Sequence, residues 1–275
     1  MNIKCVLVDL QQNHIIWNDV TSLYINKSRY TPADYLEISG RFKPNNNNYR
    51  QVNIYIDNEL VFEGRVDRQE QRLDENGTTL NVECRSLGAA MLDNEAEPRE
   101  YFSVNGNDIF NAHIRSYGYE LLKPLSSLTI PSFKVTNGLS DWDVFAIFCQ
   151  RVYGSSPFIR SDRKVWIDQT GRFYDLSDYP LKSITRNYDP CNTISHIYVR
   201  DNRGYYTTRV DNENLPDLYL SRRHFILPNS QYGGKNYGDA YERIKRSMAK
   251  TFSQQAEFAG YIPIEVATTL TLNHQ

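Results

Sequence analysis

Residues 52–98, VNIYIDNELVFEGRVDRQEQRLDENGTTLNVECRSLGAAMLDNEAEP, decide how this chain reads. Val52, Ile54 and Ile56 alternate with Asn53, Tyr55 and Asp57. Period two with β-branched residues predicts a half-buried strand. Asp57-Asn58-Glu59 then turns the chain, because Asp and Asn side chains bond the nearby backbone. Leu60, Phe62 and Gly64 open a second run that ends near Val66, and a glycine inside a strand predicts a bulge or a close backbone approach. Asp67 to Asp74 is charged and reads as a solvated extension of the hairpin. Asn76-Gly77 supplies the next tight turn, since both residues tolerate positive φ. Leu80, Val82 and Cys84 face one way, and Asn81, Glu83 and Arg85 the other. One oily and one wet face suit an antiparallel sheet covered on one side.

Working outward, residues 1–95 read as all β. Val6, Val8 and Leu10 alternate with Leu7, Asp9 and Gln11. Ile15 to Trp17 and Tyr35 to Phe42 add further strands, and Asn45 to Asn48 is a polar loop. About six strands with short connections predict a sheet that curls or closes to protect its edges. Residues 96–180 read as a small α+β domain. Asn105 to Tyr117 has helical spacing at Ile109, His113, Ile114 and Tyr117, with Gly118 as the stop. A second helix begins at Ser140, with Asp143 placed for a capping box, a buried face of Val144, Ile147, Phe148 and Val152, and Gly154 at its end. Phe158 to Arg160 and Lys164 to Ile167 form a hairpin around Ser161-Asp162-Arg163. Residues 181–275 return to strands. Ile194 to Val199 and Tyr205 to Val210 make a hairpin, and Tyr261 to Leu272 gives a last strand or pair. Tyr237 to Phe258 reads as the longest helix, with Tyr241, Ile244, Met248 and Phe252 on the core and Glu242, Arg243, Lys245, Arg246 and Lys250 in water.

The chain has 275 residues, 40% of them hydrophobic, and a net charge of −2. That excludes global disorder and a strongly basic nucleic-acid binder, leaving only local basic patches. Arg222-Arg223 and the basic residues of 241–250 are such a patch, read first as a solvated face and second as a contact for nucleic acid or an acidic partner. The N-terminal MNIKCVLVDLQQNHIIW is too polar for a signal peptide or a membrane span, so a soluble protein made in the cytosol is expected.

No constellation for chemistry emerges. Cys5, Cys84, Cys149 and Cys191 are scattered and read as buried reduced thiols. His14, His113, His196, His224 and His274 are equally scattered, without metal-ligand spacing, and His113 reads as core-edge packing. Gly233-Gly234-Lys235-Asn236 lacks the upstream glycine and the following hydroxyl of a phosphate loop. No catalytic, cofactor-binding or metal-ligating residue is assigned, and no cofactor is expected.

The run V-N-I-Y-I-D-N-E-L-V-F-E-G-R-V-D, the following L-N-V-E-C-R-S-L-G-A-A-M-L-D, the strand Ile194 to Arg200 after Asp189-Pro190-Cys191-Asn192, and the 239–260 helix ending in A-G-Y carry a resemblance. The chain resembles the baseplate hub proteins of contractile phage tails and phage-tail-like particles, the Mu-like hubs with their defective-prophage and contractile-bacteriocin relatives. The resemblance implies a mainly β fold with α+β parts. In it, two related tube-like β-barrel domains, 1–95 and 181–275, are joined by the α+β domain 96–180. It further implies a homotrimeric, non-enzymatic ring that joins the tail tube, or a tube-initiator protein, to the spike beside other baseplate proteins. Nucleic acid would only pass through the channel, and the ring would not insert into a membrane. Some members of the family carry lytic domains; none is read in these residues, so cell-wall cleavage is not carried over. A tail-tip hydrolase and a carbohydrate- or peptide-binding β module are the alternatives, the second raised by the 20 tyrosines.

Overall fold

The alternation at 52–56 and 80–84 becomes the middle of one large antiparallel sheet. Its strands are β1 (Ile3–Asp9), β2 (His14–Trp17), β3 (Val20–Asn26), β4 (Tyr35–Arg41), β5 (Tyr49–Ile56), β6 (Glu59–Asp74) and β7 (Gly77–Ser86), in the spatial order β2-β1-β5-β6-β7-β4-β3. The computed structural model describes residues 2–43, 45–75, 77–167, 172–201, 203–215, 221–226 and 237–272. They fall into two compact units. The first is Met1–Asn94 with Phe158–Lys164 and Glu265–Ala267; the second is Glu95–Pro157, Val165–Ile264 and Thr268–Gln275.

In the first unit the two edge strands, β2 and β3, are consecutive in sequence and separated only by Asn18 and Asp19. Three Cα steps reach at most about 11 Å. Seven strands laid flat would hold their edges about 29 Å apart. The sheet therefore curls until its edges approach at that corner. Trp17 Nε1 donates to the Arg41 carbonyl and the Arg41 amide donates to the Asp19 carbonyl, both across the gap. A Cβ on Gly40 would lie 2.2 Å from the Asp19 carbonyl oxygen, so only glycine lets the corner cross β4 this closely. Inside the curl lie Leu7, Trp17, Leu36, Ile38, Val52, Ile54, Phe62, Leu80, Val82 and Cys84. Burial of each large side chain is worth roughly 1.5–3 kcal/mol, and a charge at Val82 would break the wall.

The sequence reading needs adjustment in detail. β3 was not among the expected strands. Its bulge between Val20 and Ser22 interrupts the alternation of Leu23 and Ile25 that would otherwise announce it. Leu60 is exposed while Val61 and Phe62 are buried, because the register shifts at Ile54/Tyr55. Gly64 marks a close approach, where a Cβ would come within 2.5 Å of the Arg85 carbonyl oxygen. The bulge itself lies between Val66 and Arg68. Beyond it, β6 continues to Asp74 as the solvated extension the charges predict. Asn76, half of the predicted tight turn, lies outside the described residues; Gly77 has φ +112°.

The distant segments of this unit are fastened by polar groups. Arg160 is buried and donates to the Val266 carbonyl at 3.1 Å and the Ala267 carbonyl at 3.0 Å. Ser161 Oγ donates to Glu265, Arg163 pairs with Glu63, and the Arg29 guanidinium covers the Phe158 ring at 5.2 Å.

In the second unit, Glu100–Val104 pairs antiparallel with Ile130–Lys134, and helices Gly106–His113 and Asp141–Tyr153 pack through Phe110 and Phe145, 5.6 Å apart. Both helices carry capping boxes: Asn105 with Asp108, and Ser140 with Asp143 as its spacing predicts. The first helix is shorter than expected; Arg115–Tyr117 is a 3-10 turn closed by left-handed Gly118. A three-stranded sheet sets His196–Val199 between antiparallel Thr208–Asp211 and parallel Arg223–Ile226. Ile197, Val199, Val210 and Ile226 meet Ala240 and Ile244 of helix Gly238–Thr251.

That helix is the largest correction. It ends at Thr251, and Phe252–Phe258 is a strand paired antiparallel with Leu181–Tyr188. Its buried stripe is Ala240, Ile244, Ser247 and Thr251, while Tyr241 is exposed and Glu242 is buried. Gly238 and Glu242 lie on the opposite face, which also sits close: a Cβ on Gly238 would lie 2.5 Å from the Gln150 carbonyl oxygen and 2.8 Å from the Gly154 Cα. Of the expected last strand only Thr269–Thr271 is extended, parallel to Phe173–Asp175.

Candidate functional site

Cys5, Cys84 and Cys149 are buried free thiols, and Cys191 is exposed, against expectation. Burial pushes Cys5 up to about 12 and holds Cys84 and Cys149 well above the usual thiol range. A thiol that stays protonated is no nucleophile. Among the described residues no three His, Cys, Asp or Glu side chains gather as a metal site.

His113, itself buried, sits in a relay that the sequence did not announce. Its Nδ1 lies 2.6 Å from Asp141 Oδ1, its Nε2 lies 2.8 Å from the Tyr101 hydroxyl, and Tyr117 donates to Asp141 Oδ2 at 2.6 Å. The Arg99 guanidinium stands 4.4 Å from the Tyr101 ring centre. An Asp–His pair resembles a base with its orienting carboxylate. Here both ring nitrogens are engaged, and burial, partly offset by Arg99, raises Tyr101 so that it remains a phenol. The relay fastens the 106–113 helix to the start of the 141–153 helix.

What the two units offer outward is strand. In the first, edge strands β2 and β3 expose Ile16 and Tyr24. The β6–β7 extension carries an ion-pair ladder, with Arg68 on Glu70 and Glu83 and Arg72 on Asp74, and ends at Leu73, 75% exposed. At its base Arg85 grips Asp67, the bulge residue, through two bonds of 2.8 and 3.0 Å, and Asp93 through two of 2.9 and 3.0 Å. Those bonds raise Arg85 and lower Asp93, so the clamp stays charged.

In the second unit the Leu181–Tyr188 and Phe252–Phe258 strands make a two-stranded ribbon with almost every residue exposed or half-exposed. Tyr188 and Phe252 meet at one end, ring centres 5.0 Å apart, and Lys182 pairs with Glu257 at the other. A cavity of about 420 Å³ opens against this ribbon, lined largely by aliphatic side chains including Leu176, Ile184, Ile262, Leu270 and Leu272. Unpaired strand edges and open apolar surface are the marks of a surface that another chain covers. Period-two alternation in the sequence pointed to the first unit's wall; only the pairing of 181–188 with 252–258, 64 or more residues away, reveals the second surface.

Among the described residues no helix is long and apolar enough to cross a membrane. No family model matches the chain, and no curated protein does. Solved structures do. The 43 kDa tail protein of prophage MuSo2 from Shewanella oneidensis is 15% identical, with a TM-score of 0.71 over 95% of this chain and 84% of that one. The tail protein from Neisseria meningitidis MC58 is 12% identical, with a TM-score of 0.66 over 92% and 79%. The prophage tail protein gp18 from Listeria monocytogenes EGD-e is 11% identical, with a TM-score of 0.59 over 92% and 80%. This mainly β chain has the fold of prophage tail proteins.

Proposed function

We propose that this chain is a structural baseplate hub subunit and not an enzyme. Three copies form a ring that joins the tail tube, or a tube-initiator protein, to the central spike of a contractile tail or tail-like particle. The observation that carries this reading is the curled seven-stranded sheet with two open edges, in a chain whose fold matches a prophage tail protein over 95% of its length. Open edges of a curled wall gain hydrogen bonds from a neighbour, and cyclic symmetry satisfies them without endless growth. In this reading the wall of residues 1–95 has a tube-like counterpart in 181–275, where the exposed ribbon supplies the second set of free edges, and 96–180 links the two. The subunit is made in the bacterial cytoplasm, assembles with other baseplate proteins, and meets nucleic acid only as it passes along the channel.

Electron microscopy of the purified chain tests it. Class averages of a three-fold ring with a central hole are expected; single-subunit particles at high concentration would count against it. A cell-wall zymogram with a clearing band that disappears on changing one carboxylate would favour a hydrolase instead.

A further inference from the structure

A second cavity, of about 250 Å³, lies wholly within the second unit and has a different character. Arg222 and His224 reach it from the Arg223–Ile226 strand and the residue before it. Arg243, Arg246 and Lys250 reach it from the Gly238–Thr251 helix. Among the described residues no carboxylate lines it. Asp239 balances Arg243 at 3.2 Å and Glu242 balances Arg246 at 3.2 Å. Arg222 and Lys250 have no carboxylate partner among the described residues; Arg222 Nη1 donates to the Cys191 carbonyl, which fixes its guanidinium. Asp189, in the turn that carries Cys191, is committed to the Cys191 amide and the Asn192 side chain.

The bland account is a helix end that gathers basic residues to complement its dipole. That accounts for Lys250. It does not account for Arg222 and His224, which converge on the same space from a strand. In a chain of net charge −2, cations collected from two elements around one concave space, with Asp239 and Glu242 outside its lining, form a site built for an anion. The volume is below the roughly 300–1,000 Å³ of pockets for drug-sized ligands. It suits a compact oxyanion rather than a nucleotide base or an acidic protein surface.

We propose that this cavity binds a phosphate-type oxyanion, held by Arg222, His224 and Lys250 with Arg243 and Arg246 completing the ring of donors. The phosphate is either the free ion or a single phosphate of a nucleic-acid strand. This stands independently of the ring reading, and its failure would leave that reading untouched.

The test compares the full chain with an Arg222→Ala/Lys250→Ala variant. Both side chains are on the surface, and an unchanged melting temperature in chloride verifies the variant's fold. Inorganic phosphate is titrated against chloride at matched ionic strength by thermal shift and phosphorus NMR, and a single-stranded oligonucleotide by fluorescence anisotropy. Phosphate is expected to stabilise the wild type beyond chloride and to bind the variant at least about tenfold more weakly, as for the loss of one charge-assisted contact or more. Binding of phosphate alone identifies the free ion as the source; oligonucleotide binding lost in parallel identifies a strand. Phosphate acting no better than chloride, or equally on both proteins, overturns the proposal. So does an oligonucleotide that binds through these residues while free phosphate does not.

Discussion

Trp17 Nε1 donates to the Arg41 carbonyl at 2.8 Å, although β2 and β4, the strands that carry them, stand five places apart in the sheet order. This bond and the Trp17–Phe42–Tyr49 edge-to-face stack, with centroids 5.6 and 5.9 Å apart, close the curled wall at its corner. Trp17→Ala removes the bond and the Trp17–Phe42 contact and should cost about 3–5 kcal/mol. Gly40→Ala, which drives a methyl into the Asp19 backbone, should cost about 1–3 kcal/mol. Chemical denaturation of the two variants measures this; wild-type stability in Gly40→Ala would mean that the corner does not cross β4 as described.

Arg85 is the clamp at the base of the β6 extension. Its side chain and that of Asp67 are each about one-third exposed, at 33% and 36%, so solvent screens much of the pairing. Arg85→Met should therefore cost only about 1 kcal/mol. Arg85→Lys should not restore it, because an ammonium cannot make the paired bonds to both Asp67 and Asp93. Amide exchange would report the loss locally, as faster exchange along residues 67–74.

Asp34 gives the first unit a pH dependence. Burial pushes its carboxyl up to about 6, with Lys27 opposing and Glu265 adding to the rise. The folded state then holds the proton more tightly than the unfolded chain. The sign follows: stability is highest with Asp34 protonated, falls as pH rises from about 4 through about 6, and stays lower above. Asp34→Asn should raise stability at pH 7–8 by at most about 3 kcal/mol, a gain that vanishes near pH 4. Melting temperatures of variant and wild type across pH 4–8 give the comparison; a constant offset would refute the assignment.

The exposed ribbon separates folding from assembly. Tyr188→Lys with Phe252→Lys places two charges on side chains that are about half exposed, at 52% and 47%. The melting temperature of the isolated chain should change little, within about 0.5 kcal/mol per surface site. Association should fall, because an interface tolerates buried unpaired charge poorly. Light scattering on the double variant measures it, and undiminished association would remove the ribbon from the interface.

Much of the wall was legible because β4, β5 and β7 keep strict period two and one buried face, so Leu36, Ile38, Val52, Ile54, Leu80 and Val82 announce themselves. β3 was missed because its bulge breaks the period. The 252–258 strand was hidden for the opposite reason. Met248 and Phe252 continue a helical spacing, and Gln254, Gln255 and Glu257 suit a helix, but pairing with 181–188 overrides local propensity. The cationic residues of 241–250 were visible as a patch, yet their convergence with Arg222 and His224 depends on a parallel strand that no local pattern encodes. The His113 relay was equally invisible, since Asp141 lies 28 residues away.

The central claim is that these open edges are used by copies of the same chain. Sedimentation or light-scattering mass of the purified protein across a wide concentration range tests it most directly. The account predicts three times the 32.1 kDa chain mass, dissociating in the ribbon variant. A monomer at every concentration would contradict it.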